Sequence, residues 1–159
     1  MEEVHESVPT ETGQGCRQTV IQFILDTDAL TLIQEGHQAI SERFLQQPPD
    51  TVAITVLSVE EQLSGWYTQL RQAKRPERIA WAYRRLTDNI RFLARMQILT
   101  YDEDAMQRFA QLRKQKIKTG RTDLGIAAMT LKHGATLATE NTRDFKQVPG
   151  LKIVSWSRQ

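Results

Sequence analysis

The sequence predicts an α/β fold in which a parallel sheet of about five strands carries helices on both faces. Three observations lead there. Short apolar, β-branched runs recur along the chain and alternate with stretches of helical periodicity, the pattern of strand–helix–strand units. The runs lack the strict apolar–polar alternation of a sheet wetted on one face, so the strands are expected to be buried on both. The connections between them are long enough for right-handed crossovers.

The elements follow in order. Val20–Leu25 reads as the first strand. "DALTLIQEG" and a helix-like stretch to Gln47 come next, stopped by Pro48 and Pro49. "TVAITVL" (51–57) is a second strand. A helix is expected from Ser58, with Val59, Leu63, Trp66, Tyr67 and Leu70 on one face. Pro76 breaks it and starts another, roughly 77–96, carrying Ile79, Tyr83, Leu86, Ile90 and Leu93. "QILTY" (97–101) is a third strand. "DEDAMQRFAQLRKQ" (102–115) is a helix with acids in its first turn and bases in its last, as the backbone dipole favours. Asp123–His133 is a helix that Gly134 is placed to end. Leu124, Ala127, Ala128 and Leu131 form its apolar stripe. Ile126 and Met129 widen that stripe, so near-complete burial is expected. "ATLATEN" (135–141) and "LKIVSW" (151–156) are the last two strands, with Trp156 covering the final one.

The chain has 159 residues, 40% hydrophobic and 25% charged, which is ordinary globular composition and enough for one domain with a core. Residues 1–18 are polar and poor in apolar side chains, and are expected to be a disordered lead-in to a single domain over 19–159. That lead-in is acidic, unlike a secretory signal. No apolar run approaches the roughly 20 residues that span a bilayer. The single cysteine, Cys16, cannot form an internal disulfide, and a cytoplasmic protein with no membrane partner fits best. Net charge is only +2. Yet residues 71–121 hold 14 of the 21 Lys and Arg against five of the 19 Asp and Glu, a local excess of +9. Such an excess suits either a phosphate-binding surface or the solvated faces of two helices.

In a parallel sheet of this kind, sites lie beyond the carboxyl ends of the strands. Asp26 and Asp28 follow the first strand, Asn141 and Asp144 follow the fourth, and Asp123 opens the helix leading into it. Carboxylates gathered at one rim repel one another and call for a cation. All-oxygen donors suit Mg²⁺ or Mn²⁺. His5, His37 and His133 are scattered, so neither zinc nor a histidine base is indicated. There is no Gly-x-Ser-x-Gly elbow and no P-loop.

"LDTDAL" (25–30), "SVEEQLSG" (58–65), "GRTDLGIAA" (120–128) and "LATENTRDFKQVPGL" (137–151) resemble, in that order, the motifs of PIN-domain ribonucleases, above all the VapC toxins of bacterial toxin–antitoxin pairs. The resemblance covers roughly residues 20–156. It implies a three-layer PIN-like fold, a cluster of acids binding Mg²⁺ or Mn²⁺, and endonucleolytic hydrolysis of RNA, with structured RNA such as tRNA as a substrate. It further implies homodimerisation and inhibition by a small antitoxin, VapB-like or of another class. Asp26 and Asp123 match family acids and are the leading metal ligands. The spacing of the family's Glu before a Gly selects Glu61 rather than Glu60. Asn141 stands where the family has Asp or Asn, and keeps an oxygen ligand while losing a charge.

Competing structural roles are plain for several of these residues. Ser58-Val-Glu-Glu61 is also a capping-box pattern. Asp28 is expected to cap the following helix while adding to the negative rim. Asp144 suits a turn or a contact through water. Thr27 and Thr139 are expected to bond backbone or orient a carboxylate. Arg121, with Lys118, is a weak candidate for phosphate contact. Asp102, Glu103 and Asp104 are explained by the helix dipole. Trp66, Tyr67, Trp81 and Tyr83 suit a core or dimer interface better than a base-stacking platform. Two rival functions stay open at this stage. "DTDAL" also resembles the Asp-x-Asp motif of haloacid-dehalogenase-like phosphatases, although no later Gly-Asp-x-x-x-Asp pair completes that site. The neutral Asn141 leaves room for a catalytically weakened PIN-like module that only binds RNA or antitoxin.

Overall fold

A computed structural model describes residues 19–158, so the lead-in, with His5 and Cys16, lies outside the described residues. The apolar runs become β1 (Phe23–Leu25), β2 (Val52–Thr55), β3 (Gln97–Leu99), β4 (Thr136–Ala138) and β5 (Lys152–Val154). All neighbouring pairs are parallel, in the order β3-β2-β1-β4-β5. The order reverses between β1 and β4, and the crevice at a sheet's carboxyl edge opens at such a reversal.

Register explains how the strands are covered. Ile24 lies beside Ala53 and Leu137, and Leu25 beside Ile54 and Ala138. Successive side chains on a strand point to opposite faces. The first row therefore enters one apolar cluster and the second row the other.

The helices are α1 (Thr27–Gln34), α2 (Gln38–Leu45), α3 (Val56–Gln72), α4 (Pro76–Leu93), α5 (Glu103–Lys114), α6 (Arg121–His133) and the short α7 (Thr142–Phe145). Ala105 and Leu112 of α5, Leu124–Met129 of α6, and Phe145 with Val148 cover the first face. Ala29 and Leu30 of α1, Ile40 of α2, Leu93 of α4, and Trp156 cover the second. Trp156 meets the Phe23 ring edge-on at 5.4 Å between centroids. Helix α3 straddles the rim, with Leu57 packed on one cluster and Val59 on the other. The three-layer α/β arrangement expected from the sequence is the one observed. No described helix is long and apolar enough to cross a membrane.

Several expected details are realised. Residues 124–130 of α6 are all buried, and Gly134 ends that helix in the left-handed region at φ 61°. Asp102 caps α5 by accepting from the Ala105 amide at 3.1 Å, and it pairs with Lys132.

Other details differ. The stretch expected as one helix to Gln47 is two, divided at Gly36, whose φ is 77°. Every strand is shorter than its apolar run. The second ends at Thr55 because the Thr55 hydroxyl accepts from the Ser58 amide at 3.2 Å and caps α3. Val56 and Leu57 are therefore helical. Ser58 sits inside the helix, which rules out the Ser58–Glu61 capping box. On α4 the buried positions are Ala82, Asn89 and Leu93, while Tyr83 and Ile90 are 57% and 49% exposed. Asn89 turns inward because Gln62 of α3 meets it: the Asn89 amide donates to Gln62 Oε1 at 2.8 Å. Trp66 and Trp81 pack edge-on at 5.8 Å and join α3 to α4, whereas Tyr67 is exposed.

Candidate active site

The switch point between β1 and β4 is stitched by Asp26 and Thr139. The Asp26 amide donates to the Ala138 carbonyl at 3.2 Å, and the Thr139 amide to the Val154 carbonyl at 2.9 Å. The Asp26 side chain is 2% exposed and both of its oxygens are engaged. Oδ1 accepts from the Ala29 amide at 2.8 Å, and Oδ2 accepts from the Thr139 hydroxyl. Thr139 in turn accepts from the Asn141 amide at 3.0 Å. Asp26, not Asp28, is therefore the cap of α1. Asp28 lies exposed in the first turn of that helix, where its charge suits the dipole.

Burial pushes the Asp26 carboxyl up to about 6. The Thr139 and Ala29 hydrogen bonds work against that rise, while Asp28 and Asp123 add to it through like-charge repulsion.

A second chain of hydroxyls fixes the other side of the rim. The Thr27 hydroxyl bonds Glu61 Oε2 and lies 3.2 Å from the Ser58 hydroxyl, which is 3.4 Å from that of Thr55. Glu61 thus faces the rim, while its neighbour Glu60 is exposed and lines a separate hollow. Asp123, in the first turn of α6, is partly buried. Burial raises its carboxyl above the ordinary value, and the charges of Glu61, Asp28 and Asp144 raise it further. Asn141 donates through Nδ2 to Asp144 Oδ2 at 2.9 Å, a bond that leaves its side-chain carbonyl oxygen unused. Asn141 and Asp28 share a hollow of about 400 Å³. The expected acids, Thr27, Thr139 and Asn141 are therefore brought to one edge of the sheet. Arg121 is exposed at the start of α6, and Lys118 is exposed in the loop before it.

Two residues at this edge escaped sequence reasoning. Ser58 is fully buried between Thr27 and Thr55, and in the sequence it has only the signal of a cap. Glu140 fastens the segment after β5, accepting from the hydroxyls of Ser155 and Ser157 and from the amides of Trp156 and Ser157. Burial acts to raise its carboxyl, but those bonds outweigh burial and hold it below the ordinary value.

The donor set fits a hard divalent cation. It is all oxygen, and the Asp26 and Asp123 carboxyls are held above their ordinary values by burial and like-charge repulsion, a cost that a cation would relieve. Among the described residues, no three His, Cys, Asp or Glu side chains stand close enough to hold an ion by themselves.

Comparison with known proteins agrees with this geometry. The chain is 28% identical over 144 residues to the tRNA(fMet)-specific endonuclease VapC of Shigella flexneri, covering 87% of this chain and 100% of that one. It is 27% identical over 142 residues to the protein of the same name from Salmonella typhimurium, covering 86% and 99%. The structure is similar to that of DNA-bound VapBC from Salmonella typhimurium, with a TM-score of 0.70 at 26% identity, covering 86% of this chain and 98% of that one. The family model described as the PIN domain matches residues 23–151, from the first residue of β1 to just short of β5, and the chain is a member of that family.

Proposed function

We propose that this chain is an Mg²⁺- or Mn²⁺-dependent endoribonuclease, the VapC-like toxin of a toxin–antitoxin pair, with a small VapB-like protein as its inhibitor. The observation that carries the reading is the buried Asp26 carboxylate at the β1–β4 switch point, in the electrostatic field of Asp123. Asp26 and Asp123 would hold the ion, with Glu61 and the Asn141 carbonyl beside them. When bound, the ion supplies an activated water and polarises the scissile phosphate.

The rest is done by the chain itself. Thr139 and the Ala29 amide fix the Asp26 oxygens, and Thr27 fixes Glu61. Asp144 holds the Asn141 amide nitrogen, so its oxygen turns to the rim. The described histidines stand before α2 and at the end of α6, away from the acids, so no imidazole is offered as general base. Hydrolysis in this way leaves 5′-phosphate and 3′-hydroxyl ends. The names of the relatives support RNA, and tRNA within it, as the substrate class. Part of the basic excess is used in packing: Arg78 lies over Trp81, Arg85 near Trp66 and Arg113 near Phe109. Other exposed cations of this stretch, Arg121 and Lys118 among them, are placed to follow an RNA backbone.

The phosphatase reading gives way to the family match. A catalytically weakened RNA- or antitoxin-binding module is the second reading, favoured by the neutral amide of Asn141. One experiment separates the two. Purified protein is incubated with total RNA in Mg²⁺ or EDTA, beside Asp26→Asn and Asp123→Asn. The nuclease reading expects cleavage that EDTA and either substitution abolish. Equal cleavage by all three proteins would sink it, and metal binding without cleavage would favour the binding module. Co-expression with a neighbouring small reading frame, and the mass of the product in solution, test the antitoxin and the homodimer.

A further inference from the structure

A hollow of about 420 Å³ opens beside the acids and plays no part in holding them. Leu57 and Glu60 of α3, Tyr101 before α5, Phe109 of α5, and Arg121 and Gly125 of α6 line it. Its volume lies in the usual range of small-molecule sites, about 300–1,000 Å³. It begins within one helical turn of Asp123, since Arg121 and Gly125 flank that residue on α6.

Three features give the hollow a chemistry. Its wall is aromatic: Tyr101 and Phe109 meet edge-on at 6.5 Å. Its floor is Gly125 with Leu57 packed closely over it, since a Cβ there would come within 2.6 Å of Leu57 Cδ1 and 3.7 Å of the Tyr101 hydroxyl. Its mouth carries one cation and one anion, Arg121 and Glu60, both exposed. An aromatic wall suits the flat face of a nucleobase, and a guanidinium at the rim suits its phosphate. A carboxylate can only accept hydrogen bonds. Guanine offers it two adjacent donors, the ring N1–H and the exocyclic amino group. Adenine and cytosine each place a ring acceptor beside their one amino group, which the carboxylate would repel. Uracil offers one donor between two carbonyls.

We propose that this hollow is a nucleobase subsite that seats a guanine flanking the scissile phosphate, with Glu60 accepting from its Watson–Crick edge, Tyr101 and Phe109 contacting its face, and Arg121 on the adjoining phosphate. The proposal rests on the nuclease reading for its place in the reaction, but not for its binding. It also separates two neighbouring acids: Glu61 serves the rim, and Glu60 reads the base.

Two measurements test it on the full chain. In the first, guanosine 5′-monophosphate is titrated into ¹⁵N-labelled protein, with the adenosine, cytidine and uridine monophosphates as controls. The expected result is saturable shifts of the Gly125 and Arg121 resonances, strongest with the guanosine nucleotide and lost in Glu60→Gln. Tyr101→Ala is expected to weaken binding about tenfold, as loss of one base–aromatic contact does. In the second, kcat/KM is compared for short RNAs carrying guanine, inosine or no base beside the cut. Wild type is expected to prefer guanine by about tenfold, and Glu60→Gln to collapse that ratio. Nucleotide shifts with no EDTA-sensitive cleavage would uphold the subsite and refute the nuclease reading. EDTA-sensitive cleavage that ignores the flanking base, with no shift at Gly125, would overturn the subsite alone. Equal shifts with all four nucleotides would overturn the guanine assignment.

Discussion

Replacing Asp26 by Asn should stabilise the metal-free protein. The folded carboxyl titrates at about 6 and its ordinary value is 3.8, with burial as the chief cause. A gap of about two pH units corresponds to about 3 kcal/mol. The sign follows from proton binding. Below pH 3.8 the side chain is neutral in both states and burial costs no charge. Between 3.8 and about 6 the unfolded chain releases a proton that the folded chain keeps, so stability falls as pH rises. Above about 6 the folded carboxylate is ionised and the full cost is present. Asn is neutral throughout, can still accept from the Ala29 amide, and loses only the charge-assisted bond from Thr139. At pH 7.5 in EDTA, Asp26→Asn should therefore be more stable by up to about 3 kcal/mol, and the two proteins should converge toward pH 4. Urea unfolding followed by circular dichroism across that range measures the gap. Mg²⁺ should then reverse the order, because only wild type gains from binding the ion. An Asn variant less stable than wild type at pH 7.5, or a gap that ignores pH, would refute the reasoning.

Thr139→Val removes a hydroxyl bonded to a carboxylate and should cost about 1.5–3 kcal/mol at neutral pH, read by the same unfolding curves. It should also move the acid limb of any cleavage profile to higher pH, since the Thr139 bond is what holds the Asp26 carboxyl down. Asn141→Asp adds a charge beside Asp144 and Asp28. It should tighten Mg²⁺ binding by up to about tenfold in calorimetry at low salt while lowering the melting temperature in EDTA. Gly134→Ala meets no neighbour within 4 Å, so its cost is purely that of a left-handed alanine, about 1–2 kcal/mol, with RNA cleavage unchanged.

Periodicity made the layers legible. The apolar runs around Ile24, Ile54 and Leu137 could only be central strands, and the stripe widened by Ile126 and Met129 marked α6 as buried. The junctions were less legible, because several residues there can play the same part. Asp26 and Asp28 are equally able to cap α1, and the direction in which the chain leaves β1 chooses the first. Val56 and Leu57 have the composition of a strand, yet the Thr55 hydroxyl starts a helix beneath them. On α4, the apolar Tyr83 and Ile90 lie outside while Asn89 lies inside, since Gln62 gives it a partner that no single-helix pattern can show. Of the candidate site, Asp26, Asp123 and Asn141 could be placed at a strand end or helix start from sequence. Only the family's Glu–Gly spacing separated Glu61 from Glu60 in the sequence, and the rotation of α3, which Thr27 reports, turns Glu61 to the rim.

The bond between Asp26 and Thr139 joins residues 113 positions apart. Forming a contact of such long range carries the entropic cost of closing the intervening loop. The rim is thus a property of the completed sheet rather than of any segment. A growing chain that has not yet paired its first strand with its fourth carries Asp26 as an ordinary solvated carboxylate. A fragment that lacks either strand therefore lacks this bond, and with it the arrangement of the rim.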